Sequence, residues 1–363
     1  MSVNLPDIGR AWVPSAKARP VLPDGFVPGW PGWSRRNATE RRIDLVSPQG
    51  QVLDTLSFGG PHAGAAWSLV EAIDGQRSLA VIGAATGLPS GEVRAVALKL
   101  YEQAALLHAG DHDLPALAFY EHLRSLVHLA DRARGKSRLL EHYAQKTASR
   151  RLILGYLIET YHFAAAAASH LALAIATAPS LRLQTVFSEH LSEEYWHHAW
   201  LERGLHAAGL RHEDIERSVP CPGTLALIHH LRWLATSDSL SYAVCLGVAE
   251  SEPSLLAAWA EFWDMLAAGE VEAEAIAPFR EHSLLDCQEG HEAYGAEPFH
   301  ASGPLTAQEQ ARIRQRVSLF RDLTWAQHAS ILSTYESEAG PPLLGADDCW
   351  PLTSAPVAGR DAR

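Results

Sequence analysis

Apolar residues recur at helical spacing through most of the chain, from residue 114 to about residue 338. Residues three or four apart on an α-helix share one face, so this periodicity predicts a bundle of about seven helices of ordinary length. Glycine and proline interrupt the pattern and predict where the helices end. The predicted breaks lie near residues 135–136, 179–180, 209, 220–223, 253, 269, 295–298 and 303–304.

The first hundred residues follow a different pattern. Residues 1–40 are rich in Pro, Gly and Trp, which predicts an irregular arm. Two short apolar runs between residues 42 and 58 flank Ser47-Pro48-Gln49-Gly50 and predict a hairpin. Three helical patterns follow, with Ser78 and Ser90 as expected N-caps of the second and third. These helices are predicted at 63–73, 78–86 and 90–104.

The chain is longer than a usual single domain, which favours more than one unit. We predict a mostly α protein with an irregular N-terminal arm, a small α+β domain at 41–110, a helical domain at 111–340 and a tail at 341–363. Hydrophobic residues make up 47% of the 363 positions and charged residues 20%, as in globular proteins.

Charge and cysteine content narrow the functional class. The net charge of −12 argues against binding to a nucleic-acid backbone, which needs clustered Lys and Arg. The four cysteines are scattered, without metal-knuckle spacing or a disulfide framework. We find no signal-peptide pattern and no run of 18 apolar residues, so a cytoplasmic protein with no membrane partner is expected.

Residues 40 to 108 resemble the PqqD-like winged-helix modules that bind peptides in ribosomal-peptide modification pathways. The resemblance is carried by LVEAIDGQRSLAVIGAATGLPSGEVRAVALKLYEQAALL and its apolar positions around Asp74-Gly75. It implies that an extended leader peptide adds to a sheet edge. A winged helix also binds DNA, but Arg94 and Lys99 of the third helix are offset by nearby acids. A structural or dimerising role, as in a homodimer, stays open.

Acids and histidines that interrupt apolar stretches are the candidates for chemistry. Glu194 and His197 stand three apart, so a helix presents both to one point, as in carboxylate-bridged di-metal bundles. The motif alone is common in a chain with 42 acidic residues and 19 histidines. Glu159 follows an almost unbroken apolar run, and a buried carboxylate needs a metal or a partner. A pair with His162 or a nearby arginine is the alternative for Glu159.

Two further segments complete the candidate set. Glu250 and Glu252 cannot both face one site, and Glu250 is the better inward candidate because Glu252 precedes a proline. Acids at an ordinary helix end are the alternative for this segment. His282 and Asp286 are four apart on one face. His291 follows Asp286 by five residues, so it reaches the same point only through an irregular turn at residue 290; Glu289 is the fallback.

Four carboxylates, from Glu159, Glu194, Glu250 and Asp286, balance the charge of two divalent cations. The histidines add neutral nitrogen donors. A mixed oxygen and nitrogen set suits iron or manganese better than a thiolate-bound metal.

In order, these residues resemble the iron-containing redox enzyme family of heme-oxygenase-like diiron oxidases and oxygenases, over residues 115 to 340. The resemblance implies a seven-helix, up-and-down heme-oxygenase-like bundle that uses two Fe(II) ions and O₂, without heme. It implies metal ligation by Glu159, Glu194, His197, Glu250, His282, Asp286 and His291. The chain departs from the family at His291, because several relatives place this histidine three or four residues after the aspartate.

The expected function is therefore that of an O₂-dependent diiron oxidoreductase that modifies a precursor peptide recruited by the N-terminal module, with an external electron donor as a further partner. Oxidation of a free amino acid or a fatty acid is the alternative substrate class. A metal-free heme-oxygenase-like protein that acts as a binding or regulatory partner is the alternative of a different kind.

Overall fold

The structure is a computed structural model that describes residues 20–59, 63–249, 256–289, 292–337 and 343–345. The described chain is mostly helical, with five short strands near the N-terminus. The strands are β1 (Pro28–Gly29), β2 (Ser34–Asn37), β3 (Arg42–Val46), β4 (Val52–Ser57) and β5 (Leu107–His108). The helices are α1 (Ala63–Ala72), α2 (Leu79–Thr86), α3 (Ser90–Glu102), α4 (Ala116–Arg134), α5 (Arg138–Ala144), α6 (Arg150–Thr177), α7 (Leu181–Glu194), α8 (His197–Ala207), α9 (His212–Arg217), α10 (Pro222–Ser237), α11 (Ser239–Ala249), α12 (Leu256–Ala267), α13 (Ala273–Glu289), α14 (Glu292–Ala301) and α15 (Ala307–Tyr335).

The predicted hairpin is present as β3 and β4, and β2 adds a third antiparallel strand in the order β2-β3-β4. The strands β1 and β2 lie within the arm that was expected to be irregular, so that prediction was wrong for residues 28–29 and 34–37. The arm is tied to the helices by two indole groups, since Trp30 donates to the Ile73 carbonyl and Trp33 to the Ala104 carbonyl.

The three predicted N-terminal helices are α1, α2 and α3. Ser78 caps α2 as expected, because its side chain accepts a hydrogen bond from the Val81 amide. The expected cap of α3 was wrong: Pro89 occupies the N-cap position and Ser90 is the first helical residue. This region shares a core with α4, and His122 of α4 stacks on Tyr101 and contacts its carbonyl oxygen at 2.6 Å.

The described helical domain comprises α4 to α15, and because some of these helices are short, the number roughly fits the seven or so helices of ordinary length that were expected. The rod predicted across residues 181–210 is broken at Tyr195 and Trp196 into α7 and α8. Both aromatic side chains are exposed at this break.

One predicted break is absent. The helix α14 runs through Gly295 and Pro298. Gly295 serves packing there, since a Cβ at this position would meet the Gly247 Cα at 2.8 Å and the Tyr120 hydroxyl at 2.5 Å. The glycine permits close approach of α14 to α11 rather than ending the helix.

Two apolar cores fill the bundle. One includes Phe187 of α7 and Tyr242 of α11, and the other includes Leu201 of α8 and Phe279 of α13. Part of the expected tail joins the second core, because Leu343 and Leu344 pack against it. Among the described residues, no helix is long and apolar enough to cross a membrane. The described cysteines are reduced and buried.

Candidate metal site

Three of the predicted ligands come together between α7, α8 and α13. Glu194, His197 and His282 each offer a donor atom, and these atoms lie within 4.8 Å of one another. Glu194 ends α7 and His197 begins α8. The intervening residues Tyr195 and Trp196 keep nearly helical backbone angles, so the three-residue spacing still places both side chains on one side.

The donor atoms of this group are held by short contacts. His197 Nδ1 lies 3.0 Å from Glu194 Oε2, and His282 Nδ1 lies 3.1 Å from Asp286 Oδ2. Imidazole rings that bind metals usually direct one nitrogen to a carboxylate and the other to the metal. Asp286 therefore has a second available role besides direct ligation, which is to fix the orientation of His282. The two rings pack edge to face, with centroids 4.5 Å apart.

Close packing of α8 against α13 brings these rings together. A Cβ on Gly204 of α8 would meet the Ala275 carbonyl oxygen of α13 at 2.4 Å and the Phe279 ring at 2.8 Å. Only a residue without a side chain fits this crossing. His197 and His282 lie on the same pair of helices, so Gly204 contributes indirectly to their separation.

The site lies at the junction of the two apolar cores and is largely buried, with His282 partly exposed. Glu194 and His197 are each 7% exposed and Asp286 is 5% exposed. Val186 and Phe187 of α7 belong to one core, whereas Leu201 of α8 belongs to the other. A carboxylate in such surroundings is costly unless cations or hydrogen-bond donors compensate it.

Sequence reasoning missed one histidine of this region. His190 is fully buried, and its Nε2 lies 4.0 Å from Glu194 Oε1. Its ring stacks on Tyr294, whose hydroxyl donates to Glu193. The signal was present in the spacing of His190, Glu194 and His197, at i, i+4 and i+7 on one helical face.

Glu159 is not brought into this group. Its Oε1 accepts hydrogen bonds from the Tyr335 hydroxyl at 2.8 Å and from the Cys221 amide at 3.0 Å, and its Oε2 lies 3.1 Å from the same amide. Burial, followed by the neighbouring Glu159 charge, raises the pKa values of both Tyr335 and Cys221. The Cys221 thiol is therefore protonated near neutral pH. His162, the alternative partner considered for Glu159, contacts Ser218 instead.

Two further predicted ligands belong to segments that the structure does not describe. Glu250, His291 and the rejected candidate Glu252 lie outside the described residues, as does the side chain of Glu289. The described helices α11 and α13 end directly before residues 250 and 290, respectively.

The donor set fits a metal that prefers mixed oxygen and nitrogen ligands. Glu194 supplies a carboxylate, while His197 and His282 supply imidazole nitrogens, and no cysteine belongs to the described group. Iron and manganese both accept such a set.

A comparison with known protein families matches one segment of the chain. The TENA/THI-4/PQQC family matches residues 138–250, which is 113 of the 363 residues. This segment includes Glu194 and His197 but ends before His282. No curated protein is significantly similar to the chain in sequence.

Solved structures with heme-oxygenase-like and TenA descriptions are similar to the chain. A domain of unknown function with a heme-oxygenase-like fold from Shewanella denitrificans is 18% identical, with a TM-score of 0.47, and the match covers 61% of this chain and 90% of that one. A TenA homologue from Pseudomonas syringae is 17% identical, with a TM-score of 0.44 and coverage of 60% and 93%. A TenA family transcription regulator from Silicibacter is 17% identical, with a TM-score of 0.43 and coverage of 59% and 96%.

The secondary structure agrees with the expected fold class, because the described chain is mostly helical and carries a small N-terminal strand region.

Proposed function

We propose that the protein is a non-heme iron oxidoreductase that uses O₂, with Glu194, His197 and His282 as metal ligands and Asp286 as a ligand or as the group that orients His282. The observation that carries the proposal is the grouping of donor atoms of Glu194, His197 and His282 within 4.8 Å inside the helical bundle. Iron bound there would supply the electron transfer to O₂ that amino-acid side chains cannot. Manganese is the alternative metal.

The side chains around the site have defined tasks in this proposal. Contacts with Glu194 and Asp286 fix the two imidazole rings, so that both can present a nitrogen to the metal without rearrangement. The surrounding apolar cores exclude bulk water, which protects a reactive species from side reactions. We also propose a second metal ion, with Glu250 and His291 as further ligands; both residues lie outside the described residues.

We further propose that the N-terminal module recruits a peptide. The strand β4 is an edge strand of its sheet. A groove of about 420 Å³ separates it from α3, with Leu56 and Phe58 on the strand side and Val96 and Lys99 on the helix side. An extended peptide added to β4 would gain main-chain hydrogen bonds from the strand and side-chain contacts from the helix.

The oxidation is tested with precursor peptides encoded beside this gene. Aerobic incubation with the ferrous full-length protein and a chemical reductant is followed by mass spectrometry of the peptide. A mass change that requires O₂ and is absent with Glu194→Ala supports the proposal. If every peptide stays unchanged but a free amino acid or a fatty acid is modified, the substrate belongs to that alternative class and the peptide proposal is wrong.

Recruitment is tested separately by titrating the same peptides into the full-length protein in a calorimeter. We expect Val96→Asp to weaken binding at least about tenfold, because it places a charge in the apolar side of the groove. The matched control is Val81→Asp, since Val81 is half-exposed on α2 and does not line this groove. Equal peptide affinities of the two variants would show that the groove between β4 and α3 is not the peptide-binding site. If no peptide binds at all, the module keeps only a structural or dimerising role.

A further inference from the structure

A second cluster of metal-type side chains lies on the surface, where α8 meets α9. Glu202 and His206 are four apart on α8, and His212 is the first residue of α9. Donor atoms of the three residues lie within 4.8 Å of one another. Glu202 Oε1 is 2.5 Å from His212 Nδ1 and 3.4 Å from His206 Nε2.

This cluster is separate from the interior group, although both use α8. His206 follows His197 by nine residues. On an α-helix this spacing corresponds to about 180° of rotation and roughly 13 Å of axial rise. The two histidines therefore point to opposite sides of α8, one into the bundle and one to solvent.

The turn between the helices holds the surface cluster in place. Gly209 has φ +90° and ends α8, with its amide donating to the His206 carbonyl and the Leu210 amide donating to the Leu205 carbonyl. This reversal returns the chain so that His212 reaches Glu202.

The same turn orients one imidazole. His206 Nδ1 lies 2.9 Å from the Leu210 carbonyl oxygen, so Nδ1 carries the proton and donates it. In the neutral imidazole, Nε2 then carries the lone pair on the side of Glu202. A backbone carbonyl on one ring nitrogen with the other directed to the ligand group is the arrangement usual for metal-binding histidines.

We propose that Glu202, His206 and His212 bind a divalent transition-metal ion, with Zn²⁺ as the best fit. Two imidazoles and one carboxylate form a set that zinc accepts together with one water molecule. The side chains of His206 and His212 are 43% and 63% exposed, so the ion enters directly from solvent. The competing description is a surface cluster in which a protonated imidazole pairs with Glu202 and no metal is bound.

The test uses the full-length protein carrying Glu194→Ala and His197→Ala, so that the interior group does not take up the ion. Zn²⁺ is titrated in competition with a chromophoric chelator. We expect one Zn²⁺ per chain, and an affinity loss of at least about tenfold when either His206→Ala or His212→Ala is added. The control is His229→Ala on α10, an exposed histidine outside the cluster, which should leave the affinity unchanged.

Thermal unfolding without Zn²⁺ provides a second readout. Because His206 and His212 are largely exposed, their replacement should shift the metal-free unfolding temperature little, while the increase caused by Zn²⁺ should disappear. Absence of Zn²⁺ uptake by the background protein would overturn the proposal in favour of the ion-paired cluster. Uptake that neither histidine variant weakens would overturn it equally.

Discussion

Two buried carboxylates, Glu159 on α6 and Glu194 on α7, have different surroundings. Protein donors compensate Glu159, since the Tyr335 hydroxyl and the Cys221 amide both bond to it. Imidazole nitrogens of His197 and His190 lie 3.0 and 4.0 Å from the carboxylate oxygens of Glu194. The Cys221 amide can only donate and the Tyr335 hydroxyl donates to Glu159, whereas an imidazole also offers a lone pair to a metal. Both acids are buried, so burial does not distinguish them. The chemical type of the hydrogen-bonding partner distinguishes Glu194, a candidate metal ligand, from Glu159, which protein donors compensate.

The largest expected effect is the loss of O₂-dependent turnover when Glu194 is replaced. Glu194→Ala removes a ligand and the carboxylate beside His197, so we expect O₂-dependent turnover to fall by at least about 100-fold. Stopped-flow O₂ consumption measures this loss. The unfolding temperature should stay within a few degrees of the wild type, since removal of a buried charge offsets the lost contacts. Full activity of the variant would place the chemistry elsewhere.

Replacement of Glu159 should instead destabilise the fold. Glu159→Ala leaves the Tyr335 hydroxyl and the Cys221 amide buried without an acceptor, at a cost of roughly 2–5 kcal/mol in the free energy of unfolding. Urea denaturation measures it. Tyr335→Phe removes one donor and should cost less. A variant of Glu159 that keeps its stability but loses iron would reverse the roles given to the two acids.

The crossing of α8 and α13 should couple stability to the metal site. Gly204→Ala forces a methyl group against the Ala275 carbonyl oxygen, so we expect a loss of roughly 1–3 kcal/mol and weaker iron binding. The matched control is Gly64→Ala in α1, where nothing lies within 4 Å of the added Cβ. Iron affinity unchanged in Gly204→Ala would show that the crossing does not set the ligand geometry.

The smallest expected effect concerns a histidine that, like Glu159, is held by protein groups. Burial lowers the pKa of His122 to about 4. The unfolded chain therefore binds this proton more readily, so the stabilisation is complete above about pH 6.5 and is lost as the pH falls towards 4. Between pH 7 and pH 5 this histidine should cost roughly 1–2 kcal/mol.

His122→Gln should reduce the loss of stability between pH 7 and pH 5 without changing iron content. Urea denaturation at the two pH values measures the loss, and metal analysis provides the control. An identical pH dependence in the wild type and the variant would contradict the assignment of this loss to His122.

The sequence predicted those helices and helix starts that depend on residues close together in the chain. The period of apolar residues predicts α6 and α15, and Ser78 predicts the start of α2. The break at Tyr195 and Trp196 has no glycine or proline to signal it. Gly295 carries the signal of a break, but its role is close packing against α11, which depends on a residue 48 positions away in the chain, Gly247.

The same distinction applies to the site. The spacing of Glu194 and His197 predicts a shared face because both belong to one stretch of chain. The sequence also indicates that Glu159 is buried and needs a partner. Its partners are 62 and 176 residues away, so only the tertiary structure identifies them.

The most direct test of the central claim is metal stoichiometry in protein loaded with Fe(II) without oxygen and then gel-filtered. It is measured in a His212→Ala background, so that iron at the surface cluster is not counted. We predict up to two irons per chain in this background and with Glu159→Gln added, and a clear loss with Glu194→Ala added. Almost no iron in the background protein, or equal iron with and without Glu194→Ala, would contradict the assignment of the interior group as a metal site.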